Sequence, residues 1–197
     1  KYQEFFNGDT VMVIVPHEDD EINVAGATIY GAIKEGLRVF LVYVTNGDFK
    51  YKADIRYKEV TKMASIMNLP MENIHFLGFP DNSGKELLAN RDTVFTNHAG
   101  FNETHGAYGI KDYPTQYMGG SLSYTYNNLV LAITDIIGRF KPSTIISIDE
   151  DIHVDHQLTS IAVEEAVGKV VKENVNYTPK VLKSFGYDTD FESSNDY

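Results

Sequence analysis

Four short runs of mostly β-branched and apolar residues punctuate the chain: Val11 to Val15 (VMVIV), Leu37 to Val44 (LRVFLVYV), Asn73 to Leu77 (NIHFL) and Thr144 to Ile148 (TIISI). Apolar residues recurring near the helical period predict helices over Glu21 to Glu35, Ile55 to Met67, Leu122 to Phe140 and Asp155 to Val171, the third of them closed by Pro142. Strands that are apolar along their whole length have no polar face to turn to water, so both faces must be covered. Alternating helices supply that cover. The expected fold is therefore a single α/β domain of Rossmann-like type, a mainly parallel sheet with helices on both faces and its active site at the C-terminal ends of the strands. The 197 residues suffice for one core, since a chain of this size buries about 70% of its unfolded surface.

One stretch breaks the rhythm. Phe79 to Ser121 is rich in Gly, Asn, Thr and Tyr without a clean period, and so long a connection is uncommon unless it has a function. It reads as a lid or binding loop, with His98, His105, Tyr108, Tyr113 and Tyr117 available to roof a pocket, or else as a segment hiding a helix of weak pattern. From about Phe185 the chain is polar and ends abruptly, as before a further domain.

Charge and cysteine content narrow the chemistry. With 17 Lys and Arg against 28 Asp and Glu, the net charge of -11 works against nucleic acid, which requires a basic face to displace counterions. The chain has no cysteine, so a bound metal must rely on imidazoles and carboxylates. No apolar run approaches the roughly 20 residues of a membrane span, and a soluble protein is expected. Its compartment is open, cytoplasmic or secreted, because a chain that begins at Lys1 leaves room for a removed leader.

Two clusters follow predicted strands. The first is Pro16-His17-Glu18-Asp19-Asp20-Glu21. An acidic helix start would account for Asp20 and Glu21, but not for His17, since an imidazolium is disfavoured at a helix N-terminus. The second is Asp149-Glu150-Asp151-Ile152-His153-Val154-Asp155-His156, again between a strand and a helix. Equivalent ends of two parallel strands can converge, and two histidines with one carboxylate form an established catalytic zinc set.

The chain resembles the PIG-L/LmbE-like zinc-dependent N-deacetylases, which hydrolyse N-acetyl groups on sugars and sugar conjugates. The resemblance rests on His17-Glu18-Asp19-Asp20-Glu21, with Glu18 where the family usually has proline, and on His153-Val154-Asp155-His156. Between them, Thr45-Asn46-Gly47-Asp48, Arg56 with Glu59, and Leu77-Gly78-Phe79-Pro80-Asp81 follow in family order. The resemblance implies zinc, or another divalent transition metal, held by His17, Asp20 and His156. It implies Asp19 as the general base toward the attacking water, His153 as stabiliser of the developing oxyanion, and Asp155 as the carboxylate holding that imidazole. The proton for the departing amine has two candidate donors, Asp19 and His153. Arg56 and Asp81 are candidate substrate holders; each also has a plainer reading, Arg56 as the helical partner of Glu59 and Asp81 as a turn residue.

The expected activity is release of acetate from an N-acetylglucosamine-type saccharide or conjugate. One rival is a phosphoester hydrolase with Asp19, Asp20, Asp149 and Asp151 around Mg²⁺ or Mn²⁺. The other is a carbohydrate-binding domain that has lost activity. Glu18 in place of proline loosens the turn between His17 and Asp19 and adds a charge that would favour cations or repel anionic substrates.

Overall fold

The structure, a computed structural model, describes residues 1–187; most of the polar end expected from Phe185 lies outside them. Its elements run α1 (Tyr2–Phe5), β1 (Thr10–Val15), α2 (Asp20–Lys34), β2 (Arg38–Thr45), α3 (Ala53–Met67), β3 (Ile74–Phe79), α4 (Gly84–Ala89), α5 (Tyr113–Tyr117), α6 (Tyr126–Phe140), β4 (Thr144–Ile148), α7 (Val154–Glu173) and β5 (Lys180–Ser184). The strands form one parallel sheet in the order β3-β2-β1-β4-β5.

Both faces of the sheet are apolar and both are covered, as the patterning requires. On β1, Met12 and Ile14 cluster with Leu129 and Ile133 of α6 and Leu158 and Ala162 of α7. The alternate residues Val11, Val13 and Val15 cluster with Val24 and Ile29 of α2 and Val60 and Ala64 of α3. A strand with period-two side chains thus feeds two cores at once. The helix ends follow local chemistry: Thr125 caps α6 by accepting from Asn128 N–H at 3.1 Å, and Asn68 closes α3 in the left-handed region, where Asn is tolerated best after Gly.

The stretch from Phe79 to Ser121 holds α4 and α5 and is tied down elsewhere. Thr104 N–H donates to Leu122 O and Tyr124 N–H to Asn102 O, both at 2.8 Å, and Tyr113 and Tyr124 are buried in the core. Tyr113 does not roof a pocket. Its hydroxyl donates to Asp135 at 2.5 Å and accepts from Arg139 at 3.0 Å, while Tyr117 lies beneath the Arg139 guanidinium.

The order of the strands fixes where ligands can bind. The chain steps outward from β1 through β2 to β3, then returns to lay β4 on the other side of β1, pairing Val11 to Ile14 with Thr144 to Ser147. The connections leave β1 and β4 in opposite directions, which opens a crevice beyond their carboxyl ends. Both histidine clusters emerge there.

Candidate metal centre and cleft

His17 leaves β1 two residues past its end, and Asp20 begins α2. The Asp20 carboxylate turns back toward His17, accepting its backbone N–H at 3.1 Å and meeting its Nδ1 at 2.8 Å. The far nitrogen of the same ring, Nε2, lies 3.0 Å from Asp155 Oδ2 and 3.2 Å from Asp81 Oδ1. On α7, His156 Nδ1 meets Asp151 Oδ2 at 2.7 Å, leaving Nε2 aimed at Asp20 Oδ2 across 3.4 Å without hydrogen-bond geometry. One nitrogen of each histidine is therefore held by a carboxylate, and the other converges on Asp20.

Asp20, His156 and Asp155 are fully buried. Asp20 Oδ1 and His156 Nε2 have no hydrogen-bond partner, an arrangement costly in a closed protein and natural for ligand atoms awaiting a cation. The ligating atoms of His17, His153 and His156 also lie within 4.8 Å of one another. These nitrogen and carboxylate donors, with no thiolate, suit zinc or a similar divalent transition metal. Burial alone would raise the Asp20 carboxyl, but His156 and His17 hold it well below the ordinary carboxylate range. Burial would lower His17, yet Asp155, Asp20 and Asp81 hold it well above its usual value.

Asp155 is held in an unexpected way. Its carboxylate accepts the backbone N–H groups of Asn82, Ser83 and Gly84 at 2.7, 3.1 and 2.8 Å and turns its remaining capacity to His17. The carboxylate bond to His153 expected from the motif is replaced by one from the backbone, Asp155 N–H donating to His153 Nδ1 at 3.2 Å. Nδ1 is thereby an acceptor, so the neutral ring carries its proton on Nε2. Burial and the adjacent His17 lower the pKa of His153, favouring that neutral form over the charged one.

The remaining predicted residues line a cleft of about 340 Å³ with His17 and His153. Asp19 stands at the N-cap of α2 without capping it and pairs with Arg56 at 3.0 Å. Arg56 also reaches Glu59 at 3.4 Å, so the plain helical pairing and the cleft-facing role coexist. Asp81 accepts Phe49 N–H at 3.1 Å while facing His17. Glu18 does not enter the cleft: its side chain is buried, neither oxygen has a partner, and burial pushes its carboxyl up to about 8. It packs against Gly47, where φ is +58° and a Cβ would run into the Glu18 carboxylate. Glu21 is likewise buried, its carboxyl pushed up to about 7.

Sequence reasoning missed several residues of the site. Asp151, considered only as a magnesium ligand, instead backs His156 and accepts His153 N–H at 2.8 Å. Asp149 pairs with Lys183 at 3.5 Å, and with Asp19 given to Arg56 the carboxylate cage of a two-metal phosphoesterase is not assembled. Tyr187, 4.8 Å from the His156 ring between centroids, together with Phe49, Lys50, Tyr51 and Asn82 completes the cleft. None of these carries a motif; only their strand-end positions could have flagged them. Of the loop residues expected near a pocket, His98 lines a hollow adjoining this cleft, and His105 bonds Asn46 and Tyr124 at 3.2 Å each.

A parallel α/β domain gathers imidazoles and carboxylates at the switch point of its sheet, beside an open cleft, where such sheets bind their ligands. The chain belongs to the GlcNAc-PI de-N-acetylase family (PIG-L), whose model matches residues 12–167. Comparison with curated proteins finds no match. Among solved structures, the N,N'-diacetylchitobiose deacetylase from Pyrococcus horikoshii is similar with a TM-score of 0.58 and 18% identity over 92% of this chain and 61% of that one. The zinc-inhibited form of teicoplanin deacetylase Orf2 is similar with a TM-score of 0.51 and 17% identity, covering 84% of this chain and 64% of that one. The conserved protein TT1542 from Thermus thermophilus gives 0.50 and 23%, over 80% and 55%. The chain thus spans less than two thirds of the length of these structures. Among the described residues no helix is long and apolar enough to cross a membrane.

Proposed function

We propose that the chain is a zinc-dependent N-deacetylase that releases acetate from an N-acetylated sugar or glycoconjugate. The observation that carries this reading is the convergence of His17 Nδ1 and His156 Nε2 on the buried Asp20 carboxylate, 2.8 and 3.4 Å away, at the edge of a cleft that Asp19 also lines. His17, Asp20 and His156 would hold the metal, with Asp155 and Asp151 fixing the two rings from behind. When bound, zinc supplies Lewis acidity, which acidifies water and polarises the acetyl carbonyl.

The chain's own residues account for the rest. Asp19, exposed in the cleft and held by Arg56, takes a proton from the attacking water as its oxygen adds to the acetyl carbon. The carbonyl oxygen gains negative charge, and the Nε2–H of neutral His153 is the donor available to it. As the C–N bond breaks, Asp19 returns its proton to the amine nitrogen, giving acetate and the free amino sugar. A His153 whose pKa is lowered is better suited to donating a hydrogen bond than to delivering a proton, which favours Asp19 as both base and acid. Arg56 serves to orient Asp19, and Asp81 lies where it can meet a sugar hydroxyl.

Metal analysis and acetate release on a panel of N-acetyl sugars test the reading. Asp19→Asn is expected to retain metal and lose roughly two to four powers of ten in turnover, whereas His156→Ala loses metal and turnover together. Retention of full metal content by His156→Ala, or undiminished turnover by Asp19→Asn, would overturn the assignment. Absence of acetate release from every sugar would instead favour a binding domain.

A further inference from the structure

The residues that follow β5 lie against the metal centre. Ser184 O accepts Asp149 N–H at 2.9 Å, which holds the end of β5 beside the end of β4. The backbone then passes His156 at Gly186, where an added Cβ would lie 3.1 Å from His156 Cε1 and 3.4 Å from its Nδ1. One residue further, Tyr187 N–H donates to Asp151 Oδ2 at 3.0 Å, the same oxygen that meets His156 Nδ1 at 2.7 Å. Resting on the zinc reading, we infer that Gly186 and Tyr187 are positioning residues for the metal, a backbone strap that sets the direction of His156 Nε2.

A ligand imidazole needs its tautomer and its orientation fixed by the group on its other nitrogen. Asp151 can do this for His156 only if its own carboxylate is held. Both of its oxygens are: Oδ1 accepts His153 N–H at 2.8 Å, from the same turn, and Oδ2 accepts Tyr187 N–H, from beyond the edge strand. Backbone donors suit this task because they have no side-chain rotamers to lose. The strap also bounds the ring itself. Tyr187 tilts over His156 at 35° with centroids 4.8 Å apart and meets His153 edge-on at 6.1 Å.

Glycine at 186 is what allows so close a passage. A methyl group there would also lie 2.9 Å from Ile148 Cδ1, the end of a side chain that can turn aside, whereas the His156 ring can yield only by swinging its Nε2 away from Asp20. Packing alone would not require such care, because Nε2 is buried and has no hydrogen-bond partner in the protein. Supports gathered on the Nδ1 side of a ring whose opposite nitrogen is unpartnered aim that nitrogen at a ligand.

The test compares wild type with Gly186→Ala, with Gly186→Ala combined with Ile148→Val, and with Gly120→Ala, a control whose Cβ meets nothing within 4 Å. Zinc Kd is measured by chelator competition, the visible spectrum of the cobalt-substituted protein reports ligand geometry, and Tm is taken on metal-free protein. Gly186→Ala is expected to weaken zinc about tenfold or more and to alter the cobalt bands, while Gly120→Ala matches wild type in both. Adding Ile148→Val removes the Cδ1 obstacle and should restore any loss of metal-free Tm without restoring zinc affinity. Unchanged affinity in Gly186→Ala, or full recovery of affinity with Ile148→Val, overturns the inference and leaves the deacetylase reading standing. The expected order of affinities without acetate release from any N-acetyl sugar supports the strap and overturns that reading. Failure of the wild type to bind zinc overturns both.

Discussion

Asp155 illustrates how one buried carboxylate can serve two structures. It anchors the backbone of Asn82, Ser83 and Gly84 after β3 and steadies His17 after β1, so the turn carrying Asp81 and the ring of a proposed ligand share one support. Asp155→Asn keeps the shape but halves the acceptor capacity, and an amide opposite His17 favours the wrong ring tautomer. We expect zinc affinity to fall by about 10- to 100-fold in a chelator-competition titration, together with a lower Tm. The motif residues themselves were legible: His17, Asp19, Asp20, His153 and His156 all stand at the crevice. Their partners were not, because a carboxylate that backs a histidine, as Asp151 does, needs only proximity, and proximity across a fold leaves no spacing in the chain. Glu18 misled in the same way. Its position in the motif suggested a charge facing substrate, whereas the pleat and turn direct it into the interior against Gly47.

Long elements declared themselves through repetition. β4 matches its expected bounds, and α2 and α3 differ from theirs by a residue or two, because apolar periodicity over fifteen residues is difficult to mistake. α4 and α5 have six and five residues, too few for a period to emerge. β5 escaped notice for another reason: two of its five residues are lysines, whose ammonium groups bond Phe5 O and Ser160 Oγ at 2.6 Å each, erasing the apolar signature while suiting an edge strand. α6 starts later than its apolar pattern allowed because Thr125 caps it. Thr125→Ala removes the acceptor for Asn128 N–H, and urea unfolding should report a loss of about 1 kcal/mol; no loss would mean that packing of Leu129 and Ile133 alone defines this end.

At the scale of the whole molecule, acid stability reflects the aromatic side of the core. His75 lies between Phe40, Phe140, Tyr113 and Tyr117, its Nε2 is buried without a partner, and burial, aided by the charge of Arg38, lowers its pKa to about 4. The unfolded chain protonates this ring below about 6.5 while the folded one resists, so the stability it contributes is complete above that value and is lost as pH falls toward 4. His75→Phe should remove this sensitivity. Relative to wild type, the variant should gain on the order of 2 to 3 kcal/mol between unfolding near pH 7 and near pH 4.5. A constant difference between the two proteins would show that His75 titrates normally in the folded state.

The return of β4 to the flank of β1 also sets a timetable for the living chain. His17 is made well before His156, which the return of β4 brings to the same crevice, so a nascent polypeptide exposes isolated imidazoles but no convergent site until α7 has cleared the ribosome. On the proposed zinc reading, metal acquisition should accordingly coincide with closure of the fold, and partial translation products should emerge empty.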